Sequence, residues 1–369
     1  MIRMDRILST PAPRPEVLAL AGDSHGGPDY AELGRLGLAP EDVLDFSAST
    51  NAFGPPPGAV EALAACDVTR YPDRGAAPLR QALAEREGVG PGRVLVANGA
   101  AQLIWTIALA YLQPGDTALV AGPTFGEYRV ASQLMGARVH EVRPAAEREF
   151  RPDLDQLCAA ATYAQRVAWL CNPNNPTGAY LSAAEIVRLI EASPATLWVI
   201  DEAYRPFVDA PWDGKRLIEA GNTVLMRSLT KDCALPGVRI GYALASGPVI
   251  EALGRALPPW SAGTPAIAAG LAALRGIDHV QQTTALLRAG ALRLQSELRA
   301  AGWTGIVPSA THFFLVQVGD GAAIRARLLA EHRIQVRDCA SFGLPDYIRL
   351  AARLPQENAR LCRALESLR

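Results

Sequence analysis

Lysine is nearly absent from this chain. Its 369 residues include 36 basic side chains, yet only Lys215 and Lys231 are lysines. Arginine carries the remaining positive charge, so any chemistry that needs a primary amine has two candidate positions. Cysteine is sparse as well. The six thiols, Cys66, Cys158, Cys171, Cys233, Cys339 and Cys362, are scattered without a CxxC pair. That spacing excludes a disulfide framework or a zinc site and suits buried thiols in a reducing compartment. The five histidines are equally dispersed, and no metal is expected. Positive charge is not in excess: 36 basic residues face 37 acidic ones, for a net charge of −1. Nucleic acid and anionic membranes both select a basic footprint, so neither is expected as a partner. The longest apolar stretch, near Leu103 to Leu112, is too short to span a bilayer. The opening run MIRMDRILSTPAPRPEV has no apolar core of signal-peptide length. A soluble, cytoplasmic protein is expected.

What is present is an ordinary globular composition, 49% hydrophobic and 20% charged, in a chain long enough for two packed domains. Residues 1–50 are rich in Gly, Pro and Asp, with one helical patch at Tyr30 to Leu36. A Pro-rich turn, Gly54 to Gly58, precedes the first clear helix pattern. Helix-period segments then follow at Pro78–Glu87, Ala100–Leu112, Phe125–Met135 and Ser182–Glu191. Short apolar runs separate them: Val94–Ala97, Thr117–Ala121, Val167–Cys171, Leu197–Ile200, Thr223–Met226 and Ile240–Ala245. Such runs between helices predict strands buried on both faces of a mostly parallel sheet, an α/β fold. After about Pro265 the pattern becomes mixed. A long helix is expected over His279–Ala301, with strands at His312–Val318, Ile334–Arg337 and Tyr347–Ala351. The expected division is an N-terminal arm over 1–50 that joins a smaller domain, a large domain over 51–264, and a small α+β domain over 265–369. One continuous α/β domain is the alternative.

Four segments carry chemistry. Ser228-Leu229-Thr230-Lys231, with Arg239 eight residues later, brings two hydroxyls, an amine and a guanidinium to the end of a strand, a set able to seat a phosphate. Alone, Lys231 reads better as a solvated loop lysine. Lys215, among other charges in Trp212-Asp213-Gly214-Lys215-Arg216, reads as a surface residue. Asp201-Glu202-Ala203-Tyr204 follows the run Leu197–Ile200, and a carboxylate at the carboxyl end of a parallel strand faces the ligand crevice. A simple helix cap is the plainer reading. Cys171-Asn172-Pro173-Asn174-Asn175-Pro176-Thr177-Gly178 makes a rigid turn, with or without a ligand. Asn98-Gly99-Ala100-Ala101-Gln102 runs from a strand end into a helix whose exposed amides suit an anion.

Taken in order and at separations of about 30 residues, NNPTG, DEAY and SLTK with its later arginine closely resemble the aminotransferase class I/II enzymes of pyridoxal-phosphate (PLP) fold type I. The resemblance runs from about Leu44 to the end. It implies a large domain with a mostly parallel central sheet flanked by helices, plus a smaller α+β domain. It implies pyridoxal 5′-phosphate held as a Schiff base by Lys231, which also moves the substrate Cα proton. It implies that Asp201 pairs with the pyridine nitrogen, that Asn175 and Tyr204 hold the phenolic oxygen, and that Phe125 stacks on the ring. Ser228, Thr230, Arg239 and the amides of Ala100 and Ala101 would take the phosphate. Tyr71 would reach the phosphate of a second subunit in a homodimer, and Arg349 would grip the substrate carboxylate.

Within the family the likeness is to histidinol-phosphate aminotransferases and L-threonine-O-3-phosphate decarboxylases. His25-Gly26-Gly27, Leu44-Asp45-Phe46-Ser47-Ala48, Asn51 and Gly54-Pro55-Pro56 resemble the decarboxylase pattern, although Ala52 stands where that pattern has Pro. Gln102 also stands where relatives often have an acid. His25 and Asn51 are therefore candidate substrate contacts; a structural histidine is as good a reading of His25. The expected activity is transfer of an amino group from a small amino acid, phosphorylated or not, to a keto acid. PLP-dependent decarboxylation is the alternative.

Overall fold

The structure, a computed structural model, describes residues 12–20, 26–163 and 165–369. Its strands are β1 (Leu44–Asp45), β2 (Val94–Ala97), β3 (Thr117–Ala121), β4 (Arg138–Val142), β5 (Val167–Cys171), β6 (Leu197–Asp201), β7 (Thr223–Ser228), β8 (Gly241–Ala245), β9 (Phe313–Gln317), β10 (Ile334–Gln335), β11 (Arg337–Asp338) and β12 (Tyr347–Ala351). Seven of them form one sheet in the order β2-β8-β7-β6-β5-β3-β4. Only β8 runs antiparallel to its neighbours.

The apolar runs of the sequence are this sheet. Every residue of β5 and β6 is buried, because helices cover both faces. Side chains alternate between the two cores. Ala168 and Leu170 of β5 join the one that includes Leu79, Leu83, Ile186 and Leu189, while Val167 and Trp169 join Leu103, Ile104 and Tyr128 on the other. β4 went unpredicted. It lies at the sheet edge with a half-exposed sequence, Arg-Val-His-Glu-Val, that has no apolar run to betray it.

A second unit contains the antiparallel sheet β11-β12-β9 and the parallel pair β1-β10. Its core gathers Phe46, Leu294, Leu298, Phe314, Ile348, Leu350 and Leu361. The expected single strand Ile334–Arg337 is split, since β10 pairs with β1 and β11 with β12. The change of pattern at residue 265 does not mark a boundary either. Helix Thr264–Arg275 packs Ala266, Ile267 and Ala269 into the large-sheet core. The change of core falls inside helix Ile277–Ala300, where Val280 belongs to the first and Ala291 to the second. Among the described residues no helix is long and apolar enough to cross a membrane.

Candidate active site

The carboxyl ends of β5, β6 and β7 and the start of helix Gly99–Tyr111 open on one cleft of about 210 Å³, at the edge where open α/β sheets bind ligands. Lys231 follows β7 by three residues and lines this cleft. Its carbonyl accepts the Asn51 amide at 2.8 Å and the Ala234 amide at 3.3 Å, which fixes the turn that carries it. Its ammonium nitrogen stands 6.0 Å from the centre of the Tyr204 ring.

Asp201 ends β6 and is buried. Its Oδ1 accepts the Ala203 amide at 2.9 Å, and its Oδ2 accepts the Tyr128 hydroxyl at 2.8 Å. Burial pushes its pKa up, and these two bonds pull it back. The same burial, with Asp201 alongside, holds the Tyr128 hydroxyl well above its ordinary value. It also raises the Cys171 thiol to about 12, so an uncharged sulfur sits in the cleft wall. Tyr128 had no assigned role in the sequence reading. The signal was available, since it lies three residues after Phe125 at a helix start, where side chains share a face.

An anion cradle lies beside Lys231. The Ser228 and Thr230 hydroxyls are 2.7 Å apart, and the Thr230 amide donates to Ser228 Oγ at 3.1 Å. Ala100 and Ala101, in the first turn of helix Gly99–Tyr111, also face the cleft. Arg239 completes the set, its Nη1 donating to the Pro236 carbonyl at 2.9 Å. Gly99 shows how tightly the cradle is drawn. Its φ is +79°, and a methyl there would lie 2.9 Å from Arg239 Nη2.

Across the cleft, Arg349 in the middle of β12 is only 4% exposed. It donates through Nη2 to the Ser47 carbonyl at 2.5 Å and through Nη1 to Asn175 Oδ1. Its guanidinium lies 5.3 Å over the Phe313 ring. Asn175 thus engages the arginine, where the sequence reading gave it only the phenolic oxygen. A second buried arginine, Arg337, enters the same cleft. Its Nη2 donates to Ser341 Oγ at 2.6 Å, and it lies 5.3 Å over the Phe342 ring. Sequence reasoning noticed the run containing Arg337 but gave it no role. Behind the cleft, His312 is fully buried and stacked on Phe207 at 3.8 Å. Burial, then the Arg349 and Lys231 charges, push its pKa down to about 3.

Of the expected site residues, Lys231, Asp201, Tyr204, Phe125, Asn175, Ser228, Thr230, Arg239, Ala100, Ala101 and Arg349 all line this cleft. Asn51 does not. Its Nδ2 is spent on the Asp232 carbonyl at 2.9 Å and on Thr283 Oγ1 at 2.7 Å, so it braces the Lys231 turn and does not face a substrate. Tyr71 also stands outside, 81% exposed, with its ring 4.8 Å from that of Trp260. His25 lies outside the described residues. Its neighbour Gly26 is pressed against the Arg349 side of the cleft, where a methyl would come 2.8 Å from the Ser47 carbonyl and 3.5 Å from Arg349 Nη2.

An amine, a buried carboxylate, an anion cradle closed by a glycine and a flat aromatic ring in one cleft fit pyridoxal phosphate. Comparison with known proteins agrees. Residues 41–365 match the family described as aminotransferase class I and II. The chain is 37% identical over 337 residues to the histidinol-phosphate aminotransferase of Symbiobacterium thermophilum, covering 90% of this chain and 92% of that one. It is 37% identical to the histidinol-phosphate aminotransferase of Akkermansia muciniphila over 95% of this chain and 97% of that one. Among solved structures, histidinol-phosphate aminotransferase from Sinorhizobium meliloti in complex with pyridoxal-5′-phosphate superposes with a TM-score of 0.86 at 26% identity, over 96% of both chains. L-threonine-O-3-phosphate decarboxylase from Porphyromonas gingivalis superposes at 0.78 with 27% identity, over 88% of this chain and 99% of that one. The chain belongs to the aminotransferase class I and II family and is a pyridoxal-phosphate-dependent aminotransferase of fold type I.

Proposed function

We propose that this enzyme takes its amino group from a small phosphorylated amine, with histidinol phosphate the first compound to try. The observation that carries the reading is the pair of buried guanidiniums, Arg349 and Arg337, in one cleft. Arginine forks match phosphate oxygens two at a time, and two forks suit a dianion. The names of the relatives point the same way.

The roles follow from position. Lys231 carries the cofactor and serves as the base that moves the proton at the substrate Cα. Asp201 would pair with the pyridine nitrogen, and the Tyr128 hydroxyl orients that carboxylate. Phe125 would support one ring face, and Tyr204 would donate to the phenolic oxygen. Ser228, Thr230, Arg239 and the first amides of helix Gly99–Tyr111 hold the cofactor phosphate. Once bound, the cofactor supplies the electron sink that makes the Cα–H bond acidic. Arg349 orients the substrate anion and Asn175 orients Arg349. The working unit is a homodimer in the cytoplasm, with Tyr71 reaching the phosphate of the second subunit. A large unit and a small unit with separate cores, joined through helix Ile277–Ala300, give that dimer two substrate-closing halves.

Decarboxylation of a phosphorylated threonine-like amino acid is the second reading. Gly26 and Gly27 favour it: the Gly27 amide donates to Ser47 Oγ at 2.9 Å, and a methyl on Gly26 would come 3.5 Å from Arg349 Nη2. The test is single-turnover spectroscopy of the PLP-loaded protein with histidinol phosphate and with phosphothreonine, CO₂ being assayed in parallel. Stoichiometric conversion of the cofactor to its amine form by histidinol phosphate, without CO₂, supports the first reading. CO₂ release from phosphothreonine with the cofactor returned to its starting form would replace it by the second.

A further inference from the structure

We propose that Arg143, outside the cleft, is a positioning residue that sets how well the enzyme recognises the phosphate of its amine donor. The inference rests on the reading of Arg337 given above. Arg143 directly follows β4 at the edge of the large sheet. Its Nη2 donates to the carbonyl of Phe342, in the short 3-10 helix Ala340–Phe342 of the other unit. The next residue, Gly343, forms the socket. Its φ is +70°, and a methyl there would lie 2.8 Å from Arg143 Nη1 and 2.9 Å from Nη2. Any side chain at 343 would displace the guanidinium.

The latch is rooted at its own end as well. Glu141, on the same face of β4, sits 3.7 Å from Arg143 Nε. It packs over Gly122 so closely that a methyl there would meet its carboxylate. Gly122 directly follows β3 and begins the segment that carries Phe125 to the cleft. Arg143 therefore ties the cofactor-facing part of the large sheet to the turn 340–342 of the small unit.

That turn has a second task on its inner side. Ser341 Oγ accepts from Arg337 Nη2, and the Phe342 ring lies beneath the Arg337 guanidinium. One short turn is thus held from outside by one arginine and holds another from inside. When the outer bond is lost, Ser341 and Phe342 move away from Arg337, and its fork no longer meets the phosphate at the right angle. Lys231, Asp201 and the cofactor cradle are built on β6, β7 and helix Gly99–Tyr111, which the latch does not touch. The loss therefore falls chiefly on phosphate recognition.

The test uses the PLP-loaded enzyme in single turnover with histidinol phosphate and with histidinol, which lacks the phosphate. Arg143→Ala should raise the half-saturating concentration of histidinol phosphate about tenfold, the size of one charge-assisted hydrogen bond partly screened by solvent. The value for histidinol, the limiting rate and the visible spectrum should stay near wild type. Arg143→Lys should recover part of the loss, and Gly343→Ala should reproduce it. An unchanged value for histidinol phosphate in Arg143→Ala, or an equal rise for both compounds, would overturn the proposal. Arg337→Gln, measured alongside, separates the two levels. If Arg337→Gln loses the preference for histidinol phosphate while Arg143→Ala keeps it, only the latch fails. If Arg337→Gln keeps it too, the reading of Arg337 fails and the latch falls with it.

Discussion

Asp201 and Glu202 are adjacent in sequence and do unrelated things, because extended backbone sends successive side chains to opposite faces. Asp201 faces the cleft and takes the Tyr128 hydroxyl, whereas Glu202 turns away and takes Arg227 Nε at 2.8 Å, an arginine that also binds Glu87. The DEAY motif made Asp201 legible by its place at a strand end. It did not reveal Tyr128, whose bond depends on a helix crossing the strand from 73 residues away. Asp201→Asn keeps the shape and removes the charge. Bonds to charged groups contribute about 1.5–3 kcal/mol, so turnover should fall roughly 10- to 100-fold while PLP stays bound. A steady-state kcat near wild type would show that the pyridine nitrogen does not depend on this carboxylate.

Asp232, next to Lys231, is 1% exposed. Burial pushes its pKa up to about 6, with Arg86 pulling the other way. A folded-state value above the unfolded one means that folding prefers the protonated form. That contribution is complete below about pH 4 and is lost as pH rises through about 6. Above that range the buried charge costs roughly 3 kcal/mol. Denaturant melts of Asp232→Asn should therefore match wild type near pH 4 and show a more stable protein at pH 7. Equal stability of the two at every pH would mean that this carboxyl finds full compensation in the fold.

Among the elements, the strands that are largely buried were the ones that could be read. β2, β3, β5 and β12 fall on the residues that their apolar runs marked. β4 did not announce itself, because an edge strand needs no continuous apolar run. The split of β10 from β11 was hidden for another reason, since pairing partners far along the chain decide it and local composition does not. The seat of helix Gly99–Tyr111 shows a similar long-range dependence. Gly241, the first residue of β8, has the Ala100 amide 2.8 Å from where a methyl would sit, with the Gly99 carbonyl carbon at 2.9 Å and the Arg227 carbonyl oxygen at 3.0 Å. All three are backbone atoms and cannot swing aside. Gly241→Ala should destabilise the protein by about 1–3 kcal/mol. It should also weaken PLP binding in a fluorescence titration, because the displaced amides are those facing the cradle. A melting temperature and PLP affinity like those of wild type would show that the strand and helix separate more easily than their packing suggests.

For the whole molecule, the features least legible from one chain are those that a second chain would complete. Tyr71 stands 81% exposed against Trp260, with Val68 exposed nearby in sequence. Large apolar side chains left in water mark interaction surfaces. Sedimentation of the PLP-loaded enzyme should give twice the 39.2 kDa of the chain, and Tyr71→Ala should loosen PLP without changing that mass. A fully active monomer would remove the second subunit from the site. The sequence divided the chain near residue 265 because its pattern changed there, but cores are defined by packing, and helix Thr264–Arg275 still packs on the first. The pairing of β1 with β10 also bears on how the enzyme comes to be made. The Phe46 amide donates to the Gln335 carbonyl at 2.7 Å, and the Phe46 carbonyl accepts the Ala351 amide at 3.1 Å. On the ribosome, the strands around Lys231 have all emerged by Ala245, while Phe46 waits for a partner made some 290 residues after it. The half that carries Lys231 and Asp201 is thus complete before the half that carries Arg337 and Arg349 has been synthesised.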